Sequence, residues 1–97
     1  MTLDDLFEQH MGFSQATFTD CTSEDSLNHL KEEIEEVLNS ECKDLEEYVD
    51  CFMCLLSSMK KAGFDTEQFK EAFQHKLVIN QSRDWNKNTK GYYSHKK

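Results

Sequence analysis

The stretch KEEIEEVLNSECKDLEEYVD, Lys31 to Asp50, sets nine carboxylates among twenty residues and answers them with two lysines. Apolar residues recur in it at helical spacing, broken near Asn39 and resumed from about Lys43. The stretch therefore reads as the end of one helix, a short connection and the start of the next. That break decides the fold, because helices joined by short connections pack beside one another as a bundle. It also raises a question of chemistry, since so many acids form either a solvated face or a cup for divalent cations.

Outward from this stretch, the pattern supports helices and gives little support to strands. A first helix is read near Leu3 to His10, followed by the Phe-rich segment GFSQATFTD, Gly12 to Asp20, taken as a loop. A second helix opens in TSED, with Thr22 or Ser23 as its cap, and ends near Asn39. A third runs from about Lys43 to Ala62, stopped by Gly63. Asp65 caps a fourth, with Gln68 completing a capping box, and this helix reaches about Arg83. The tail from Asn86 to Lys97 is polar, basic and read as mobile. The expected architecture is a single-domain, all-α bundle of about four helices over residues 1–97.

Composition narrows the function classes. A net charge of −8 repels nucleic acid backbones. Neither a signal peptide nor a membrane span is visible, so the expected place is the cytoplasm. Cys21, Cys42, Cys51 and Cys54 are expected as free thiols. Cys51 and Cys54 have zinc-like spacing, but no second paired cluster completes four ligands.

On the second helix Leu27, Leu30, Ile34, Val37 and Leu38 form one stripe. Glu33 and Glu36 flank one side of it, Glu32 and Glu35 the other, and periodicity does not choose between the pairs. On the third helix Leu45, Tyr48, Val49, Phe52, Leu55, Leu56 and Met59 fill one broad face. The opposite face reads Glu47, Asp50, Cys51, Cys54, Ser57 and Ser58, carboxylate at its start and then small. A helix with so little solvent-adapted surface is central and packed on both sides. Glu47 and Asp50 are then drawn toward a neighbour, where two carboxylates resist desolvation unless a cation joins them. Mg²⁺ is a hard cation suited to such oxygen donors. Against this, acid-rich helices are common, glutamate is a good helix former, and charge runs are ordinarily solvated.

The fourth helix adds cations. Its stripe of Phe69, Ala72 and Phe73 continues through Lys76, Asn80 and Arg83. Emergence into solvent or pairing with acids is the plain explanation. Contact with phosphate oxygens, bidentate from arginine, is the functional one. Acidic metal ligands and phosphate-binding cations are the complementary halves of a nucleoside triphosphate site.

These residues together resemble the MazG-like all-α nucleotide pyrophosphohydrolases, with E-E-x-x-E at Glu32, Glu33 and Glu36, then E-x-x-D at Glu47 and Asp50. The resemblance is closest to the phage-type dATP/dGTP diphosphohydrolase branch, which includes the MazZ-like enzymes. There the pattern continues through an Ala-Gly-aromatic turn, here Ala62 to Phe64, and K-x-x-x-N-x-x-R-x-W, here Lys76, Asn80, Arg83 and Trp85. The segment from Phe13 to Phe18 is similar to that branch's W-S-x-x-T-F, and His95 to a late histidine. The similarity spans about residues 13–95. Thr19 stands where the branch usually has glycine, Ser57 where it has aspartate, and Asn86 where it has proline.

The resemblance implies a Mg²⁺-dependent hydrolase, with Mn²⁺ as a substitute, that converts dGTP or dATP to the monophosphate and pyrophosphate. It implies Glu33, Glu36, Glu47 and Asp50 as metal ligands; Glu32 is the candidate for orienting or deprotonating the water, with a further metal ligand as the alternative. Lys76 and Arg83 would steady the triphosphate and Asn80 the sugar or a phosphate. Phe13, Phe18 or Trp85 would stack on the base, core packing being the alternative for each. A homodimer or homotetramer is expected, with a nucleotide substrate as partner and neither nucleic acid nor membrane. The rival readings are a non-catalytic acidic helical binding module, against which the Lys76, Asn80 and Arg83 stripe and the small-residue face of the third helix argue, and a nucleotide sensor without hydrolysis, kept open by Ser57.

Overall fold

A computed structural model describes residues 1–95. It holds four helices, α1 (Leu3–Thr17), α2 (Ser23–Asn39), α3 (Leu45–Lys61) and α4 (Thr66–Ser82), then a hairpin of β1 (Trp85–Lys87) and β2 (Tyr93–His95). The chain divides into two compact units, Met1–Thr66 and a second beginning at Glu67.

In the first unit α3 is the shared element, touching both α1 and α2. Capping chemistry sets its boundaries. Thr2 with Asp5 and Thr22 with Asp25 form capping boxes at α1 and α2, and Asp44 accepts from Glu46 N at α3. Past α3, Gly63 takes φ +96°, Phe64 N–H donates to Met59 O at 3.0 Å and Gly63 N–H to Lys60 O at 3.0 Å, a Schellman stop. Past α2 the same two bonds recur, Cys42 N–H to Val37 O and Glu41 N–H to Leu38 O, both 3.0 Å. Here no glycine serves: Glu41 and Cys42 stand at φ 58° and 61°.

α3 packs through its small-residue face and through part of its broad apolar face. Cys54, Leu56, Ser57 and Ser58 are buried, while Leu45, Tyr48, Val49 and Phe52 on the broad apolar face are exposed. Small side chains let the helices approach closely enough for polar contacts across the seams. Ser58 Oγ lies 2.7 Å from Ser23 Oγ on α2, and His10 Nε2 lies 3.0 Å from Ser57 Oγ on the α1 side. These polar contacts lie on the small-residue face, while Leu56 and the Phe7–Phe52 ring contact at 5.2 Å bury part of the expected hydrophobic one. On α2, likewise, Val37 is buried but Leu27, Ile34 and Leu38 are exposed.

Two local expectations are corrected. The loop read from Gly12 is helical to Thr17, because Met11 and Ser14, one turn apart, are both buried. Their packing outweighs the cost of Gly12, about 1 kcal/mol in a helix interior. The tail read as mobile forms a hairpin, with Trp85 opposite His95 and Lys87 opposite Tyr93. Asn88 closes it: its Oδ1 accepts from Lys90 N at 2.9 Å, and Gly91 supplies φ +97°. Lys96 and Lys97, the end of that tail, lie outside the described residues.

Within the second unit, Phe69 and Phe73 stack at 6.1 Å on α4. No helix among the described residues is long and apolar enough to cross a membrane.

Candidate metal centre and cleft

Glu33 comes from the face of α2 that turns toward α3, and Glu47 and Asp50 from successive turns of α3. One carboxylate oxygen of each lies within 4.8 Å of the others. The geometry thus singles out Glu33 from the four glutamates that flank the α2 stripe. Glu33 and Glu47 are half-buried and Asp50 is exposed. Glu36 is exposed and outside this close group, yet its charge acts on Glu47. Glu32 is exposed and also outside it.

The electrostatics fit a cation. Desolvation holds the Glu47 carboxyl above its usual range, helped by the charges of Asp44, Asp50, Glu36 and Glu33. Like charges gathered this closely oppose one another's ionisation, and a positive ion among them removes the penalty. The donors are carboxylate oxygens, the set a hard divalent cation prefers over a soft one.

Glu33 and Asp50 also line a cleft of about 430 Å³. Phe13 and Phe18 form its aromatic wall, meeting edge to face at 5.6 Å and 86°. Both rings are substantially exposed, 56% and 44%, and so are not core residues. His10 and Ser57 line the cleft from α1 and α3, and His29 and Cys54 from α2 and α3. Every lining residue belongs to the first unit.

His29 bridges, with Nε2 3.0 Å from Glu33 Oε1 and Nδ1 3.5 Å from Cys54 Sγ. Neither His10 nor His29 was anticipated as part of the site. Continuing α1 beyond His10 would have placed His10 one turn before Phe13. For His29, the i, i+4 spacing to Glu33 was the available signal.

The remaining candidates lie in the second unit. Lys76 is exposed, and Asn80 and Arg83 are half-buried. Trp85 Nε1–H donates to the Asn80 carbonyl at 2.8 Å, and its ring meets His95 edge-on at 6.1 Å. Trp85 is thereby fixed at the end of α4, with 39% of its surface exposed.

A family model described as dATP/dGTP pyrophosphohydrolase matches residues 6–96. Among solved structures, the chain is similar to the cyanophage S-2L MazG-like pyrophosphohydrolase bound to dGDP and three catalytic Mn²⁺ ions per active site. Identity is 26% and the TM-score 0.82, over 100% of this chain and 99% of that one. The curated proteins contain no match.

Proposed function

Because the chain belongs to the dATP/dGTP pyrophosphohydrolase family, we propose that it hydrolyses the bond between the α- and β-phosphates of dGTP or dATP, releasing the monophosphate and pyrophosphate. The enzyme class follows from the family. The choice of purine deoxynucleotide and of Mg²⁺, with Mn²⁺ as a substitute, is our reading.

The observation that carries it is the meeting of Glu33, Glu47 and Asp50 within 4.8 Å beside a cleft walled by Phe13 and Phe18. Glu33, Glu47 and Asp50 hold divalent metal, and Glu36 completes the set. When bound, the metal supplies charge neutralisation at the phosphates and a lowered pKa for water. Glu32 orients the water or accepts its proton. Phe13 or Phe18 stacks on the base, and Trp85 is the further aromatic candidate. Lys76 and Arg83 bind phosphate oxygens, and Asn80 the sugar or a phosphate. The manganese and dGDP of the cyanophage neighbour support the metal and nucleotide parts of this assignment.

We read residues 1–97 as one functional domain, acting in the cytoplasm as a homodimer or homotetramer. The exposed Leu27, Ile34, Leu38, Leu45 and Val49 support self-association. Pyrophosphate release from a panel of canonical and modified nucleoside triphosphates, with Mg²⁺ or Mn²⁺, tests the proposal. Turnover of a purine deoxynucleotide is expected, and no turnover of any member would refute it.

A further inference from the structure

His29 joins two side chains of unlike character. One turn further along α2, Glu33 Oε1 lies 3.0 Å from Nε2, and across the seam Cys54 Sγ lies 3.5 Å from Nδ1. The hydrogens in this chain can be placed. An ionised carboxylate has none to give, so Nε2–H donates to Oε1. Burial pushes the Cys54 thiol up to about 11, so at neutral pH the sulfur keeps its hydrogen and donates to Nδ1. One neutral tautomer satisfies both contacts, which then run in one direction from thiol through imidazole to carboxylate.

The three side chains differ in burial. Cys54 is 8% exposed and anchored in the packed face of α3. The His29 side chain is 58% exposed and that of Glu33 20%. A surface His–Glu pair one turn apart is by itself worth little. This pair is different because a buried thiol holds the far side of the ring, and because Glu33 is one of the three converging carboxylates. Metal-ligating carboxylates are commonly held by such outer hydrogen bonds, which restrict their orientation.

We propose that Cys54, His29 and Glu33 form a positioning relay, in which the thiol orients the imidazole and the imidazole holds Glu33 Oε1, presenting this carboxylate to a divalent cation in one orientation. The relay rests on the reading of Glu33, Glu47 and Asp50 as the metal centre. His29 is a positioning residue here, acting through Glu33.

The test is Mn²⁺ affinity without nucleotide, from the electron paramagnetic resonance signal of free Mn²⁺, with circular dichroism confirming that each variant is folded. Expected is a loss of about tenfold or more in His29→Ala. His29→Gln, which retains an N–H donor, recovers most of it. Cys54→Ser, which retains a donor hydrogen, binds more tightly than Cys54→Val. Glu47→Gln, which alters the centre itself, loses binding as well. Wild-type affinity in His29→Ala together with loss in Glu47→Gln overturns the relay and leaves the metal centre standing. Equal weakness of His29→Gln and His29→Ala also overturns it, since N–H donation would then not be what holds Glu33. Wild-type affinity in both His29→Ala and Glu47→Gln refutes the metal centre, and the relay with it.

Discussion

His10 Nε2 lies 3.0 Å from Ser57 Oγ and 3.0 Å from the Met53 carbonyl oxygen, tying α1 to the middle of α3. A carbonyl only accepts, so Nε2 carries the hydrogen and shares it between two oxygens, with Ser57 Oγ accepting. Ser57 is also a position at which the sequence departs from the branch it resembles, and serine brings no charge of its own to the α1–α3 seam. Ser57→Ala removes one of the two acceptors in a buried position and should cost about 1 kcal/mol. Thermal unfolding should show a melting temperature lower by a few degrees, and His10→Ala, which removes both contacts, should show a larger drop. An unchanged melting temperature in both variants would mean that this contact does not hold the seam.

Glu41 occupies the left-handed position that ends α2, with φ 58°, where glycine would be free of strain. Its ion pair with Lys43 spans 3.1 Å, but both side chains are 78% exposed. Such a pair contributes at most about 1 kcal/mol, and often nothing measurable. The left-handed backbone of a non-glycine residue costs about 1–2 kcal/mol, so strain outweighs the pair. Glycine relieves that strain but costs about 0.5–1 kcal/mol through the greater freedom of the unfolded chain, so Glu41→Gly should stabilise the fold by up to about 1 kcal/mol, and Gly63→Ala, the mirror experiment after α3, should destabilise it. Denaturant melts of the two variants check both signs.

Glu47 ionises less readily in the folded protein than in the unfolded chain, through desolvation first and then the nearby carboxylates. The folded state therefore binds its proton more tightly. The resulting stabilisation is complete below the unfolded value, about 4.3, and is lost as pH rises through the folded one. Glu47→Gln cannot ionise and escapes that loss. Without metal, the melting temperature of Glu47→Gln relative to wild type should rise between about pH 4 and pH 7. Saturating Mn²⁺ should shrink or reverse the difference, because the cation stabilises the folded wild type. A difference independent of pH would contradict the crowding of charge at Glu47.

Phe13 and Phe18 present their rings to the cleft while packing against each other at 5.6 Å. A base stacked on such a ring gains about 1–3 kcal/mol. Phe18→Ala should accordingly raise KM for the preferred triphosphate about fivefold to a hundredfold, with a smaller change in kcat. Steady-state kinetics give the split, and an unchanged KM would remove Phe18 from the base site.

The boundaries of α2 and α3 were legible because local chemistry marks them: Thr22 and Asp25 at one start, and Gly63 at one stop. The end of α1 was not. Gly12 weakens the local helix signal, and the buried Met11 and Ser14 that sustain it owe their burial to packing with other elements. The hairpin after α4 was hidden too, since strands of three residues are too short for alternation to register. At the candidate centre, spacing brought Glu47 and Asp50 forward, and the family resemblance selected Glu33. The structure sets Glu33 beside them but leaves Glu36 outside the close group. The link from His29 to Cys54 crosses between helices, so no local pattern announces it.

Release of pyrophosphate from dGTP and dATP by wild-type protein and Glu47→Gln, each with Mg²⁺, with Mn²⁺ and with chelator alone, tests the proposed function most directly. Metal-dependent turnover by the wild type, abolished by chelator and by Glu47→Gln while the variant keeps its helical circular dichroism, is the result expected. Turnover that survives chelation or the loss of the Glu47 carboxylate would contradict a metal centre built on Glu33, Glu47 and Asp50.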